Sequence, residues 1–377
     1  MKAVRSEQLK VLTATLLLEL SWSMSFFFVT FKTYEEGSFI QYALIRGLPA
    51  ITYFLGSRFY GFISDSTGSR RIFMVIGATS TTISLLGMAA TPTSLWIPIV
   101  CVWYFLAAFE PVTIAYLSTE KMGGEASGEY YAASELGFTL GSAIGGFLTD
   151  LIGIRYNLLL ATAISVPSIL LFLSLREDGS TTSRVEIKEA LYRVFRLEFP
   201  RGTRKVILPF FLASLSLSTF YAAFSIKVYE ASSRSNTLLG VLVSLAGLFS
   251  TVLGPIYGKL VDRLGGKRSF AISCIIYSLY FLAGVIASDI LILAILMVLP
   301  LFPLHYTSRN ALAMELLPEE KASAVSVPSS LGSIAEATGN YISGVTMTFV
   351  GPSGTMLLGP LLSITAVLIL LVRKPVG

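Results

Sequence analysis

Long apolar runs separated by short polar breaks make up most of this chain, and the runs share one length. Twelve can be read, near residues 11–32, 38–63, 72–90, 95–117, 129–150, 155–175, 206–228, 237–262, 270–287, 290–312, 323–348 and 353–372. Each is close to the ~20 residues with which an α-helix crosses the hydrocarbon core of a bilayer. The runs are continuously apolar and do not alternate at period two, which argues against a β-barrel. The pattern therefore predicts an all-α membrane protein with twelve transmembrane helices, here numbered as spans one to twelve.

One break is longer than the rest. It covers 176–205 and divides the chain into six spans at 1–175 and six at 206–377. Its first part, Glu177 to Ser183, reads as loop, and Ile187, Leu191, Val194 and Phe195 then recur at helical spacing with Lys188, Arg193 and Arg196 on other faces. Such a segment is expected to form a short basic amphipathic helix on the inner leaflet.

Composition fits this plan, with 54% apolar residues against 14% charged. The net charge of +5 follows the topology and gives no reason to expect a nucleic-acid partner. With the N-terminus inside, the cytoplasmic face collects Lys2, Arg5, Lys10, Arg70, Arg71, Lys121, Lys259, Arg263, Lys267, Arg268, Lys321, Arg373 and Lys374. It also takes the eight cations of 176–205, and only Lys32, Arg155 and Arg234 fall in or beside outer loops. The positive-inside bias thus places both termini and the linker in the cytoplasm of a multi-pass plasma-membrane protein. Cys101 and Cys274 lie in spans of different halves, so neither a disulfide framework nor a metal site is expected. Met1–Lys10 leads into a full-length span, without the pattern of a cleavable signal peptide.

A short motif occurs twice, 197 residues apart. The first copy runs from Gly61 through Asp65 and Gly68 to Arg70 and Arg71. The second runs from Gly258 through Asp262 and Gly265 to Lys267 and Arg268. The duplicated loop, the six-plus-six layout and the basic central linker resemble the major facilitator superfamily across essentially the whole chain. The resemblance implies two pseudo-symmetric six-helix bundles and a transporter that works by alternating access. It also implies that the motif glycines let span two pack closely on span eleven, and span eight on span five. The motif Asp would engage loop cations and a helix terminus, holding the cytoplasmic side shut in one state. Ser66 and Ser69 stand where that family often has cations, which thins the charge network of the first copy.

Small-residue stripes accompany the motif. Gly240, Gly247, Gly254 and Gly258 lead along span eight to Asp262, while Gly137, Gly141 and Gly145 step by four along span five, beside Gly146. Such stripes let helix backbones approach in lipid, either as static packing or as a surface for rocking. The stretch Gly137 to Gly146 also resembles the span-five signature of the family's antiporters, with Ser142 in place of a proline. Span four, however, lacks the arginine that branch usually carries.

Ionisable groups inside spans cost a few kcal/mol each and call for a reason. Glu19 in span one and Glu110 in span four lie at similar depth, about 11–12 Å from the cytoplasmic ends at 1.5 Å per residue, and Pro111 breaks the helix beside the second. These two are the first candidates for proton coupling, and Glu336 in span eleven is the third. Span eleven carries a polar stripe of Ser329, Ser333, Glu336, Asn340 and Ser343, and span seven a matching one of Ser214, Ser218, Tyr221 and Ser225. Polar stripes face a wet cavity or another helix, not lipid. Trp22 and Phe26, together with Arg46, Tyr221, His305 and Asn340, make up the candidate substrate cavity, and the aromatics near the carboxylates (Trp22, Phe26, Trp103 and Tyr104) suit either a greasy substrate or core packing. Arg309 lies one turn from His305 but about nine residues away in depth from Glu336, too far for an ion pair.

No nucleotide-binding Gly-x-x-x-x-Gly-Lys-(Ser/Thr) sequence and no HExxH motif is present, and the chain has a single histidine. A polytopic membrane enzyme is therefore the weaker class and a channel weaker still. The expected function is secondary active transport of a small-molecule substrate coupled to protons, with export of an organic solute or drug favoured over import of a metabolite. No cofactor is expected, and the chain is expected to work as a monomer.

Overall fold

The computed structural model describes residues 2–118, 123–176, 203, 205–316 and 321–372, with only the backbone described for Asp65 and for 2–5, 123–127 and 321–326. The amphipathic helix expected in the linker lies outside these residues. In chain order the helices are α1 (Lys2–Glu36), α2 (Phe39–Thr67), α3 (Arg71–Ala90), α4 (Trp96–Leu106), α5 (Glu110–Leu117), α6 (Gly123–Ile152) and α7 (Ile154–Leu173). They continue with α8 (Ile207–Ala231), α9 (Asn236–Leu264), α10 (Gly266–Ile286), α11 (Ile290–Val298), α12 (Phe302–Leu316), α13 (Lys321–Met356) and α14 (Leu358–Val372). No strand occurs among the described residues.

Eight of the described helical stretches are long and apolar enough to cross a membrane, and the pair Val327–Met356 and Leu358–Val372, bent by 66°, forms a ninth candidate. α2 and α6 are more polar, but at 29 and 30 residues each is about 44 Å long, enough to cross. With these two, and with α13 and α14 as separate crossings, the twelve spans of the sequence reading are recovered. Two of them are broken. Span four divides into α4 and α5 around Ala107–Phe109, and span ten divides into α11 and α12 before Phe302.

The helix packing repeats. α1 packs on α6 and α7, and α3 on α7; correspondingly α8 packs on α13 and α14, and α10 on α14. Contacts group the chain into two compact units, one of residues 1–36, 51–197 and 236–244, the other of 37–50, 198–235 and 245–377. The first has a core of Val11, Ala14, Phe73, Met74, Phe109 and Phe172, and the second one of Phe210, Phe270, Cys274, Leu312 and Val367. Both cysteines are free.

In the first unit the span-five glycines are contact points. A Cβ on Gly137, Gly141 or Gly145 would strike the α1 backbone at Leu16, Leu20 or Met24, and one on Gly146 would strike Asn236. Gly240 fits equally closely against Ser142. Beside this seam the Asp150 carboxylate accepts four hydrogen bonds from the start of α9. They come from the backbone and side-chain amides of Asn236 (3.1 and 2.8 Å) and from the backbone amide and hydroxyl of Thr237 (both 2.7 Å). A carboxylate there satisfies otherwise unpaired helix N–H groups and meets the positive end of the helix dipole.

The end of α7 is also tied down. Lys10 Nζ donates to Ser174 O (3.3 Å), Arg71 Nη1 to Leu175 O (3.1 Å) and the Tyr116 hydroxyl to Arg176 O (3.2 Å). Glu7 accepts from the Arg176 backbone amide at 3.0 Å. Four contacts from α1, α3 and α5 therefore converge on three consecutive residues.

In the second unit the start of α2 packs on α13. A Cβ on Gly47 would come within 3.0 Å of Ala337 O, and one on Gly344 would strike Ala43.

Candidate functional site

The break in span four positions the best-formed part of the site. α4 ends at Leu106, and Glu110 is the first residue of α5, with Pro111 in its first turn. Proline suits that place because its missing N–H is one the helix start leaves unpaired anyway. The break turns the Glu110 side chain toward α2 and α6. Tyr53 of α2 donates its hydroxyl to Glu110 Oε2 at 2.6 Å, and Tyr131 of α6 donates to Oε1 at 2.7 Å.

Glu19 of α1 is half-buried in the same cluster. Ser134, Glu110 and Glu135 are its electrostatic neighbours. The two carboxylates read as a pair from their depth are therefore brought together. An aromatic wall stands beside them. Trp22 donates Nε1–H to the Tyr104 hydroxyl at 2.9 Å, stacks on Phe26 at 5.5 Å and faces Phe138 at 5.8 Å. Trp103 is fully buried and bonds Thr81 at 2.9 Å, so it serves packing.

Glu336 belongs to a different cluster, in the second unit. Arg46 Nε donates to Asn340 Oδ1 at 3.2 Å, and Asn340 Nδ2 donates to the Glu336 backbone carbonyl at 2.8 Å. The Arg46 guanidinium lies 5.4 Å from the Tyr42 ring centre, and Arg46 is the electrostatic neighbour of the exposed Glu336 carboxylate. Along the α13 stripe Ser343 and Asn340 are buried, whereas Glu336 and Ser329 are exposed.

Tyr221 is half-buried against Phe224 and Tyr280. His305 is enclosed, its Nδ1 3.2 Å from the Ser273 hydroxyl and its ring between Phe270 and Tyr277. Arg309, 2% exposed, donates to the Ser214 hydroxyl at 3.1 Å and lies 4.2 Å over the Tyr306 ring, with no carboxylate partner among the described residues.

Among the described residues, a Cβ on Gly61 or on Gly258, the first glycines of the two motif copies, would meet nothing within 4 Å. Asp262 is exposed and bonds no neighbour among the described residues, and the Asp65 side chain lies outside them. Arg70 and Arg71 bond within the first unit, to the carbonyls of Ala115 (2.6 Å) and Leu175. The shared spacing of Gly68 and Gly265 in the two copies has a backbone cause. They have φ of +67° and +80°, and their amides bond Ser64 O and Val261 O at 2.9 Å as the chain leaves α2 and α9. Glycine takes that conformation at little cost, and a side chain does not. Lys267 and Arg268 are half-buried and exposed.

Sequence reasoning missed Tyr53, Tyr131 and Ser134, because tyrosine and serine in a span carry no signal of their own until a carboxylate is placed beside them. It also missed Asp150, which reads as an ordinary helix-end acid.

A repeated bundle of membrane-length helices with paired carboxylates inside one unit is the build of a membrane transporter. The sequence profile of the Major Facilitator Superfamily matches residues 11–225 and again 206–377, and the chain belongs to that family. Among curated relatives, the multi-drug resistance efflux pump PmrA of Streptococcus pneumoniae is 26% identical over 254 residues, covering 63% of each protein. The match thus spans less than two thirds of that pump. The MFS-type transporter YuxJ of Bacillus subtilis is 23% identical over 286 residues, 72% of each, and the multidrug resistance protein MdtG of Salmonella arizonae is 24% identical over 240 residues, 59% of this chain and 57% of that one. Among solved structures, the nucleoside transporter NupG superposes with a TM-score of 0.71 at 15% identity, covering 97% of this chain and 98% of that one. A POT family transporter in complex with 5-aminolevulinic acid gives 0.73 at 12%, covering 98% and 95%. These two likenesses establish the fold alone.

Proposed function

We propose that this transporter is a proton-coupled exporter of small organic solutes, working by alternating access in the plasma membrane as a monomer. The observation that carries the reading is the joining of Glu19 and Glu110 in one cluster beside the Trp22–Phe26–Tyr104 wall. A carboxyl loses its charge readily where it is dry and regains it where water reaches it. Alternating exposure therefore loads and releases a proton. The names of PmrA and MdtG support export of organic compounds. Glu336 is the coupling group of the second half, with Arg46 as its neighbouring cation. Residues 1–175 and 206–377 act as the two moving bundles, 176–205 is their cytoplasmic linker, and the twin motifs act as gates.

Purified protein in proteoliposomes with a pH-sensitive dye in the lumen tests this. Addition of a solute from a drug and metabolite library should move protons against the solute's own flux. Glu19→Gln and Glu110→Gln should each abolish solute accumulation driven by a pH gradient. Accumulation by both variants at the wild-type level would overturn the assignment, and solute and proton moving in the same direction would favour import instead.

A further inference from the structure

Buried polar atoms without a partner are few in folded proteins, and each calls for a reason. In the second unit four such atoms belong to neighbouring side chains: Arg309 Nε and His305 Nε2 on α12, and the Tyr277 and Tyr280 hydroxyls on α10. The side chains form one run. The Arg309 guanidinium lies 4.2 Å over the Tyr306 ring. Ring centres then step from Tyr306 to His305 (6.2 Å), from His305 to Tyr277 (5.5 Å) and from Tyr277 to Tyr280 (5.9 Å). All four residues that carry the unpartnered atoms are 5% exposed or less, so bulk water does not serve them.

Arg309 is the most demanding of the four. A guanidinium keeps its charge in any protein setting, and an arginine inside a membrane-spanning bundle is expected to pair with an acid or to line a polar pathway. Here Nη1 donates to the Ser214 hydroxyl of α8 at 3.1 Å, Nε donates to nothing, and among the described residues no carboxylate pairs with the group. On α13 the residue beside Nη1 is Gly332, where an added Cβ would stand 3.4 Å away. A larger side chain there would fill the space next to the charge.

We infer that α8, α10 and α12 enclose a binding site for an organic anion, whose carboxylate or phosphate group Arg309 takes while the Tyr277 and Tyr280 hydroxyls and His305 Nε2 take its other polar atoms. A guanidinium presents a planar fork that meets either acid group with two parallel N–H bonds. Phenol hydroxyls both donate and accept, so they suit hydroxyl, carbonyl or amide groups on the same molecule. Phe270 flanks His305 and Phe281 flanks Tyr277, each with ring centres 5.4 Å apart. Such a lining suits an anion with an apolar or aromatic body better than an inorganic one. The half-buried Tyr306 covers the guanidinium and has the exposed Glu336 carboxylate as an electrostatic neighbour. Access therefore runs past Tyr306, from the polar stripe of α13. Taking this anion as the transported solute rests on the function proposed above and narrows it to anionic solutes.

Thermal melts of the full chain in detergent, at constant chloride, test the site without requiring transport. Benzoate or phenyl phosphate should raise the wild-type midpoint in a saturable way, whereas benzyl alcohol and benzylamine, of similar shape, should not. Arg309→Met should weaken that binding by about thirty-fold or more, as expected when one member of a buried charge pair is truncated. Its ligand-free midpoint should stay at or above the wild-type one, because an apolar side chain replaces an uncompensated buried charge. Arg309→Lys keeps the charge without the fork and should bind at an intermediate level, which guards against misfolding of the Met variant. No rise with either anion overturns the site, as does an equal rise with benzyl alcohol or in Arg309→Met. A rise produced equally by added chloride, or a benzoate shift abolished by phosphatidylglycerol in the micelles, replaces the organic anion with an inorganic ion or a lipid headgroup and overturns it too. If benzoate binds through Arg309 yet no solute moves with a pH gradient in proteoliposomes, the site stands and the proton-coupled export fails. Gradient-driven export of neutral or cationic solutes without benzoate binding refutes the site alone.

Discussion

Arg46 and Asn340 are joined by a 3.2 Å hydrogen bond from Nε to Oδ1 that links the start of α2 to α13. One turn of that seam is held by polar atoms, while Gly47 and Gly344 on either side hold it by backbone proximity. Replacing Arg46 with Lys removes the planar donor group without removing the charge. Arg46→Lys is therefore expected to lower the thermal midpoint in detergent by a few degrees, corresponding to about 1 kcal/mol for a lost hydrogen bond. Equal midpoints for Lys and wild type would show that only the charge matters here.

The glycines of this seam and those of the motif should respond differently to added bulk. Gly344→Val would overlap Ala43 and is expected to destabilise the fold by about 1–3 kcal/mol. Gly61→Val and Gly258→Val meet nothing within 4 Å among the described residues and should leave the unfolding midpoint close to wild type. If these glycines become contact points when the transporter changes state, the same two variants will still slow transport. Thermal melts and initial transport rates of the same preparations separate the two effects.

The motif aspartates are expected to gate rather than to bind. Asp65→Asn and Asp262→Asn should reduce turnover while solute affinity stays within a few-fold, because the charge biases one conformation over the other. Loss of binding with unchanged turnover of the remaining fraction would contradict a gating role.

Asp150→Ala removes all four acceptor contacts to the start of α9 at once. Helix-capping losses run to about 0.5–2 kcal/mol, and the effect should appear as faster hydrogen exchange at Asn236 and Thr237. Asp150→Asn keeps one acceptor oxygen and should fall between. Unchanged exchange in the Ala variant would mean that the seam of Gly146 and Gly240 fixes this end of α9 without help.

Orientation can be read with a single engineered cysteine. After replacement of Cys101 and Cys274, Ser180→Cys should react with a membrane-impermeant thiol reagent only when cells are opened. Labelling in intact cells would reverse the assigned topology.

How much of this was visible in the chain itself depends on the kind of interaction. Helix number and the two-fold repeat follow from apolar run length and from the duplicated motif, both local properties. The pairing of Glu19 with Glu110 was accessible because depth along a helix is a matter of counting residues. The partners of Glu110 were not, since Tyr53 and Tyr131 reach it across three helices and their rotation about each axis is not fixed by any local pattern. The motif shows the same division. The positive φ of Gly68 and Gly265 is a backbone requirement that its spacing encodes. Whether Gly61 and Gly258 touch a neighbour instead depends on conformational state, on which a sequence is silent.

The knot at the end of α7 has a further consequence. Because α1, α3 and α5 all grip residues Ser174 to Arg176, α7 is finished off before the connecting segment begins. The chain can then be cut or lengthened beyond that point without unravelling the bundle behind it. Two open reading frames divided there should yield halves that each insert intact and reassemble when co-expressed.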